Sequence, residues 1–336
     1  MTTGTPQVLI DGLQYCNWSR AIFEEMRQGG LTAVHATVGY HEGFRETVRH
    51  LVDWRTRFRD NEDLILLARD AGDIERARAS NRTAILLGLQ NPMPIEDDIG
   101  LIEMLFDLGI RFMQLTYNNQ SLLGCGWMEK EDSGVTRMGR EAIAEMNRLG
   151  MIIDLSHAGE RTALETIALS QRPVVVSHAN PRWLRDSNRN VSKVLLQALR
   201  AKEGLLGLSL YPLHLPNGSD TTLEQFGKMA AEAAGIMGAD HLGIGSDLCQ
   251  DQPDSVVRWM REGRWTREIQ ATASFPPQPS WFRSNLDFPK LSQGLLSAGF
   301  AEAETALVLG GAWHRFLKAS LPSAPGYAGN GQIGAR

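Results

Sequence analysis

Two histidines near the middle of the chain stand in matching positions. Each ends a short apolar run, the first as Leu-Ser-His at His157 and the second as Val-Ser-His at His178, and Asp247 ends a later run. Imidazole nitrogen and carboxylate oxygen are ligands that suit zinc and its neighbours among the divalent metals. The three residues therefore predict a site for a divalent metal ion. The alternative is that each histidine is an ordinary hydrogen-bonded residue at a strand end.

The elements that carry these residues are predicted to be parallel strands. A short apolar run bounded by polar residues is typical of a strand buried on both faces, and a helix between two such strands makes them parallel. Parallel strands gather their carboxyl ends at one edge, where α/β proteins hold their chemistry. The same rule brings four further residues to this edge from the ends of other runs: Leu13, Tyr15, Gln90 and Tyr117.

The alternation of apolar runs and helical segments predicts the fold. The number of main runs matches the eight strands of a closed (β/α)8 TIM barrel, whereas a doubly wound sheet usually has fewer. We predict a single barrel domain over residues 1–336. Residues 249–288, which are polar and rich in Trp and Pro, are predicted to form an insertion at the mouth. Helices near the C-terminus are predicted to close the outer ring.

Composition excludes several classes of partner. The chain has 336 residues, 43% of them hydrophobic, and a net charge of -5 with no basic cluster, which argues against nucleic acid. No apolar run reaches the roughly 18 residues of a membrane-spanning helix. Three scattered cysteines form no Cys-x-x-Cys pair and suit a reducing compartment. We predict a cytoplasmic protein that acts on a small molecule without membrane contact.

The cysteines carry a second hypothesis. Cys16, Cys125 and Cys249 each lie just past a predicted strand, so each can reach the mouth as a thiolate ligand or nucleophile. The alternative is that they are small buried residues, which is a common role for cysteine.

Several motifs in order resemble the membrane (renal) dipeptidase family, peptidase family M19. They are IIDLSH, VVVSHAN, NRNVS and GIGSD, together with GIRFMQLTYNN and REAIAEMNRLG, and the resemblance covers about residues 10–317. It implies a metal-dependent (β/α)8 hydrolase of the amidohydrolase type. Such enzymes cleave dipeptides with two zinc ions that a glutamate bridges.

The resemblance also implies roles for individual residues. His157 and His178 match the two histidine ligands of the second metal, and Asp247 matches the aspartate that takes the proton of the attacking water. Arg189 matches the arginine that receives the substrate's carboxylate. Tyr117 stands where the family has a substrate-contacting histidine. We therefore predict that Tyr117 serves in catalysis and substrate binding, and that its neighbour Asn118 contacts the substrate.

The chain departs from the family at the first metal. The family's first strand ends in Asp-Gly-His-x-Asp, but Leu13 and Tyr15 replace the two ligands, and Gln90 replaces the bridging glutamate. Two divalent ions a few ångströms apart repel strongly without bridging carboxylates. Leucine has no ligand atom, and glutamine offers only a neutral amide oxygen. The departures predict the loss of the two-metal centre.

A single ion remains as the prediction for the metal. One zinc, or another divalent ion, would be held weakly by His157 and His178, with the amide oxygen of Gln90 as a weak third ligand. Water on that ion would give its proton to Asp247, and Arg189 would hold a substrate carboxylate. This is a dipeptidase-like hydrolase of a small amide or dipeptide.

Two other functions stay open. The first is an enzyme of the same fold that acts on a small carboxylate or amine without metal hydrolysis, using Asp247, His157, His178 and Tyr117 as acid and base groups. The second is a barrel that binds a small ligand and catalyses nothing. Barrels of this type commonly pair, so a homodimer is predicted in each case.

Overall fold

The computed structural model describes residues 8–265, 267 and 274–321. The parts of the predicted domain and mouth insertion at residues 1–7, 266, 268–273 and 322–336 lie outside the described residues. The strands are β1 (Ile10–Gln14), β2 (Ala33–Gly39), β3 (Ile65–Leu67), β4 (Thr83–Leu89), β5 (Ile110–Gln114), β6 (Ile152–Asp154), β7 (Val175–Ala179), β8 (Leu205–Leu208) and β9 (Leu242–Ile244).

Eight of these strands close into a parallel barrel. β1 pairs with both β2 and β9, the strands from β4 to β9 pair in sequence order, and β2 pairs with β4 to complete the ring. β3 pairs only with β4 and stands outside the ring. The predicted (β/α)8 barrel is confirmed, because the ring contains the eight strands that this fold requires.

Helices surround the ring and continue past it. They are α1 (Arg20–Gln28), α2 (Phe44–Asp60), α3 (Ala71–Ala79), α4 (Gly100–Asp107), α5 (Arg137–Leu149), α6 (Glu160–Leu169), α7 (Lys193–Ala201), α8 (Leu223–Met237), α9 (Ser255–Glu262), α10 (Leu291–Ser297), α11 (Glu302–Ala306) and α12 (Ala312–Ser320). Within the described ranges, none of the helices has the length and apolar character needed to cross a membrane.

Short polar side chains begin several helices. Ser19 accepts a hydrogen bond from the backbone N–H of Ile22 at the start of α1, and Thr136 does the same for Gly139 at the start of α5. The sequence pattern predicts that the fourth helix begins near residue 95, which is wrong. A short 3₁₀ turn occupies Met93–Ile95, and the α-helix begins only at Gly100.

The floor of the barrel is closed by α12. This helix contacts β1, β8 and β9 and also reaches α3, so it lies across the end of the barrel opposite the predicted mouth. Its Trp313 is buried among inward side chains of the strands and donates a hydrogen bond to the carbonyl of Ile244 at 2.8 Å. Any side chain at Gly12 or Gly243 would collide with this indole. The C-terminal segment thus closes the floor as well as the outer ring.

His35 occupies the lumen above this floor. Its Nδ1 lies 2.7 Å from the carbonyl oxygen of Gly12, and its ring stacks on Phe112 at 4.1 Å between centroids. Because a carbonyl only accepts, the proton is on Nδ1. His35, within β2, is a core histidine that is hydrogen-bonded to the backbone.

Candidate active site

A cavity of about 400 Å³ opens at the carboxyl ends of the strands. Its size falls within the range of small-molecule sites. The predicted residues that line it are Gln90, Tyr117, Asn118, His157, Arg189 and Asp247. His178 lies directly behind His157. Tyr15 belongs to a neighbouring cavity, and Leu13 is fully buried in the core.

The two histidines meet through their ring nitrogens. Nε2 of His157 lies 3.1 Å from Nε2 of His178, and both rings are buried. Tyr117 packs against the open side of the pair, with its ring centroid 4.2 Å from that of His157. Burial lowers the pKa of both histidines well below the usual value, and the nearby Arg189 lowers it further. Both imidazoles are therefore neutral near pH 7.

Asn118 sets the tautomer of His157. Its Nδ2 donates to the carbonyl of Arg261 at 2.8 Å, and its Oδ1 accepts from Nε1 of Trp127 at 2.8 Å. These two bonds assign the amide orientation, so the contact of 2.9 Å between Oδ1 and Nδ1 of His157 places a proton on that ring nitrogen. The Nε2 of neutral His157 consequently presents a lone pair to His178.

Arg189 is a buried guanidinium with unused donors. Nη2 donates to the carbonyl of His178 at 2.9 Å, whereas Nε and Nη1 have no hydrogen-bond partner among the residues that the structure describes. Burial lowers the pKa of Arg189 to about 10, which leaves it charged at neutral pH. Buried N–H groups without partners are rare because each costs free energy. A ligand carboxylate is a suitable acceptor for such donors.

Asp247 faces the same cavity without a partner. Its carboxylate forms no hydrogen bond or ion pair with any other residue in the described part of the chain. Its backbone has a φ of 56°, a left-handed conformation that is uncommon outside glycine, and its N–H donates to the carbonyl of Leu13 at 3.1 Å. Burial raises the pKa of Asp247 to about 7, although Arg189 opposes the shift. A carboxyl group of this kind exchanges protons near neutral pH.

A polar and aromatic cluster surrounds Tyr15 and Gln90. Nε2 of Gln90 donates to the hydroxyls of Thr37 at 2.8 Å and Tyr40 at 2.9 Å. Tyr15 packs edge-on against Tyr40, with 4.8 Å between ring centroids, and burial raises the pKa of Tyr15 to about 12. A protonated phenol is a poor ligand for a metal. Leu13 contributes only core packing.

The donor set fits one ion better than two. Two ligands of a tetrahedral zinc lie about 3.4 Å apart, given Zn–N bonds of about 2.0–2.1 Å, and the two Nε2 atoms are close to that spacing. Within residues 8–265, 267 and 274–321, no three His, Cys, Asp or Glu side chains are grouped to hold a metal. His157 and His178 therefore fit two positions of a single ion, and the side chains do not fit the family's pair.

The cavity also contains residues that the sequence analysis did not select. They include Tyr40, Tyr211, His214 and Arg261. Tyr211 ends a predicted strand, so the rule that found Tyr117 could have found it. His214 lies in a short 3₁₀ turn, Pro212–His214, where it is buried, with Nδ1 2.8 Å from Oγ of Ser209. Arg261 comes from α9 and donates to the hydroxyl of Tyr211 at 2.7 Å, a long-range contact that no local pattern reveals.

Only one of the three cysteines lines the cavity. Cys249 is near Asp247, and burial raises the pKa of its thiol well above the usual value. Cys16 and Cys125 are buried away from the cavity. A thiol with a raised pKa is a poor nucleophile at neutral pH. For Cys16 and Cys249, whose thiol pKa values are both raised by burial, this favours the alternative interpretation as packing residues.

The family assignment rests on a sequence comparison. A model of the family described as membrane dipeptidase (peptidase family M19) matches residues 16–258. The chain belongs to the membrane dipeptidase family. This confirms the resemblance found in the motifs around His157 and His178, and it associates the chain with a family of metal-dependent dipeptidases.

Solved structures and curated relatives extend this comparison. An amidohydrolase from Pseudomonas aeruginosa is 35% identical, with a TM-score of 0.90 over 94% of this chain and 97% of that one. A dipeptidase, verJ, from Clonostachys rogersoniana is 28% identical over 62% of this chain and 54% of its own length. This membrane dipeptidase homologue thus spans about half the length of that relative. The metallopeptidase of Rhodobacter sphaeroides, bound to a phosphinate mimic of L-Ala-D-Ala, shares the fold at 17% identity, with a TM-score of 0.79 over 94% of this chain and all of that one.

Proposed function

We propose that this protein hydrolyses the amide bond of a small substrate that carries a free carboxylate, such as a dipeptide. The observation that carries the proposal is the pairing of two unsatisfied charges in one cavity. Arg189 has two unpartnered N–H groups, and the carboxylate of Asp247 has no partner among the described residues. A substrate carboxylate would accept hydrogen bonds from Arg189, and the attacking water would donate one to Asp247.

Binding begins at Arg189. The guanidinium receives the carboxylate through a bidentate fork, which fixes the distance from that group to the scissile bond. Tyr117 forms a wall of the cavity beside His157 and donates its phenol proton to the substrate, since burial raises its pKa well above the usual value. Asn118 has one amide hydrogen left after its bonds to Trp127, His157 and Arg261, and this hydrogen is available to the substrate.

Asp247 is the proton acceptor. A general base is most effective when its pKa lies near the working pH, and burial raises the pKa of Asp247 to about 7. It takes the proton of the attacking water and returns it to the leaving amine.

A single divalent ion, with zinc as the first candidate, would be held by His157 and His178. The amide oxygen of Gln90, whose nitrogen is engaged by Thr37 and Tyr40, is proposed as a weak third ligand. When bound there, such an ion would supply Lewis-acid stabilisation of negative charge on oxygen. The set has no anionic ligand and lies near the cationic Arg189, so binding is weaker than at a three-ligand zinc site.

The test compares free and capped substrates. Protein purified without chelator is loaded with zinc and assayed on dipeptides and on the same dipeptides with an amidated C-terminus. We expect turnover of the free dipeptides only, because the capped ones offer Arg189 no carboxylate. Equal turnover of both sets, or no turnover of any dipeptide, contradicts the proposal.

The cluster of Tyr15, Tyr40 and Gln90 favours a second candidate. It occupies the replaced half of the family's metal centre without metal ligands, which suits an enzyme that acts on a small carboxylate or amine by acid and base groups alone. Metal analysis separates the candidates: stoichiometric zinc supports metal hydrolysis, and metal-free protein that remains active excludes it. A His178→Ala variant that keeps full function would instead indicate a barrel that only binds a ligand.

A further inference from the structure

One buried carboxylate joins the two Ser-His motifs. Oδ1 of Asp154 accepts from the N–H of Ser156 at 3.0 Å, its hydroxyl at 2.6 Å and the N–H of Ser177 at 3.0 Å. Oδ2 accepts from the hydroxyl of Ser177 at 2.5 Å and from Nε2 of Gln114 at 3.0 Å. Asp154 is 1% exposed. These bonds tie the ends of β5, β6 and β7 together beneath the histidines.

The bond from Ser177 determines where the proton of His178 lies. The hydroxyl of Ser177 has one proton. It donates this proton to the carboxylate of Asp154, which can only accept. Oγ of Ser177 also lies 2.7 Å from Nδ1 of His178. With the hydroxyl proton already committed, the ring must be the donor in this second bond. His178 therefore carries its proton on Nδ1.

Both histidines consequently point lone pairs at one another. Asn118 holds the proton of His157 on Nδ1, and Ser177 does the same for His178. The two Nε2 atoms, 3.1 Å apart, then lack a proton between them when both rings are neutral. This arrangement attracts a cation to the gap, and it depends on the outer partner of each ring.

We propose that Asp154 is a positioning residue which, through Ser177, holds the proton of His178 on Nδ1 and so turns its Nε2 lone pair toward the site. This inference about Asp154 rests on the proposed function at one point, which is that His178 serves as a ligand at the site. Asp154 touches neither substrate nor metal. Its effect is to hold one tautomer.

The first test observes the tautomer directly. Nitrogen-15 NMR of the histidine-labelled wild-type protein, with and without one equivalent of zinc, distinguishes protonated from unprotonated ring nitrogens. Assignment comes from loss of signals in His178→Gln. We expect a protonated Nδ1 in both samples. A proton on Nε2 and none on Nδ1 overturns the proposal without any need for a variant of Asp154.

The second test removes the relay. In Ser177→Ala the ring loses its acceptor, and we expect zinc affinity, measured by competition with a chromophoric chelator, to fall about 10- to 100-fold. Ser177→Thr keeps the hydroxyl and should restore the affinity. Gln114→Met is the matched control, because it also removes a hydrogen bond from Asp154 but takes away no partner of Ser177 or His178. Equal losses in the Gln114 and Ser177 variants would contradict the relay.

These readouts are independent of turnover. A wild-type protein with a protonated Nδ1 on His178 that cleaves no dipeptide refutes the proposed hydrolysis and leaves the relay intact. A wild-type protein that cleaves dipeptides, but whose His178 has its proton on Nε2, refutes the relay and leaves the proposed hydrolysis intact.

Discussion

Replacing Arg189 by methionine separates the substrate role of this residue from its structural role. The guanidinium makes one hydrogen bond, to the carbonyl of His178, and leaves Nε and Nη1 unpaired. Methionine keeps an unbranched side chain and removes the charge. If Arg189 receives the substrate carboxylate, the variant loses two charge-assisted hydrogen bonds that form only when substrate is bound.

The magnitudes follow from these bonds. Each hydrogen bond to a charged group contributes about 1.5–3 kcal/mol, so the loss of two costs roughly 3 kcal/mol or more of binding free energy. At about 1.4 kcal/mol per factor of ten, KM rises on the order of 100-fold. Without substrate, the Arg189→Met variant loses one hydrogen bond, to the carbonyl of His178, and no longer contains two buried donors without partners, each of which costs about 1–3 kcal/mol of stability. Its stability should be unchanged or higher.

Arg111→Met is the matched control. Arg111 is also buried, with its pKa lowered to about 10, but its guanidinium donates to the carbonyls of Arg69, Phe106 and Ile110 at 2.7–2.8 Å. It lies at the opposite end of β5 from the cavity. This variant should lose about 3 kcal/mol of stability with an unchanged KM. Steady-state kinetics and urea unfolding test both variants, and a destabilised Arg189→Met with unchanged KM would refute the reasoning.

Three further predictions concern the base, the metal and the lumen. Asp247→Asn should lower kcat about 10²- to 10⁴-fold. Wild-type kcat/KM should rise as the pH passes about 7, because Asp247 loses its proton there. The free energy of unfolding of the wild type should fall as the pH rises from 3.8, the ordinary pKa of this carboxyl, to about 7, because only the folded state keeps the proton over that range. Unfolding of the Asp247→Asn variant, measured against pH, should lack that fall. A variant that restores three ligands carries Leu13→His, Tyr15→Asp and Gln90→Glu. Elemental analysis should find two zinc ions per chain in this variant. No gain in bound metal would mean that strands β1 and β4 are misplaced at the site. Gly88→Ala should lower the free energy of unfolding by roughly 2 kcal/mol or more, because the new Cβ would lie 2.8 Å from Cβ of Phe112 and closer still to Nε2 of His35. Gly235→Ala is the control: this glycine of α8 faces open space, so its replacement should raise the free energy of unfolding by about 0.5–1 kcal/mol. Thermal or urea unfolding measures both changes.

Much of the barrel was readable from local pattern. Each barrel strand is buried on both faces, so it appears in the sequence as a short apolar run, and His157, His178 and Asp247 mark where three such runs end. The rule that parallel strands share one edge is sufficient to bring these residues together. The start of α4 was misplaced because the apolar residues at 93–95 belong to a 3₁₀ turn and not to the helix.

The sequence by itself determined the strand count, the location of the mouth and the residue types at Leu13, Tyr15 and Gln90, because these depend on residue type and on order along the chain. Only the tertiary structure decided which side chains remain unpaired. The unused donors of Arg189, the free carboxylate of Asp247 and the approach of Arg261 from α9 arise between residues far apart in sequence. The proton positions on the two histidines depend in the same way on Asn118, Ser177 and Asp154, whose distances are set by the closure of the barrel.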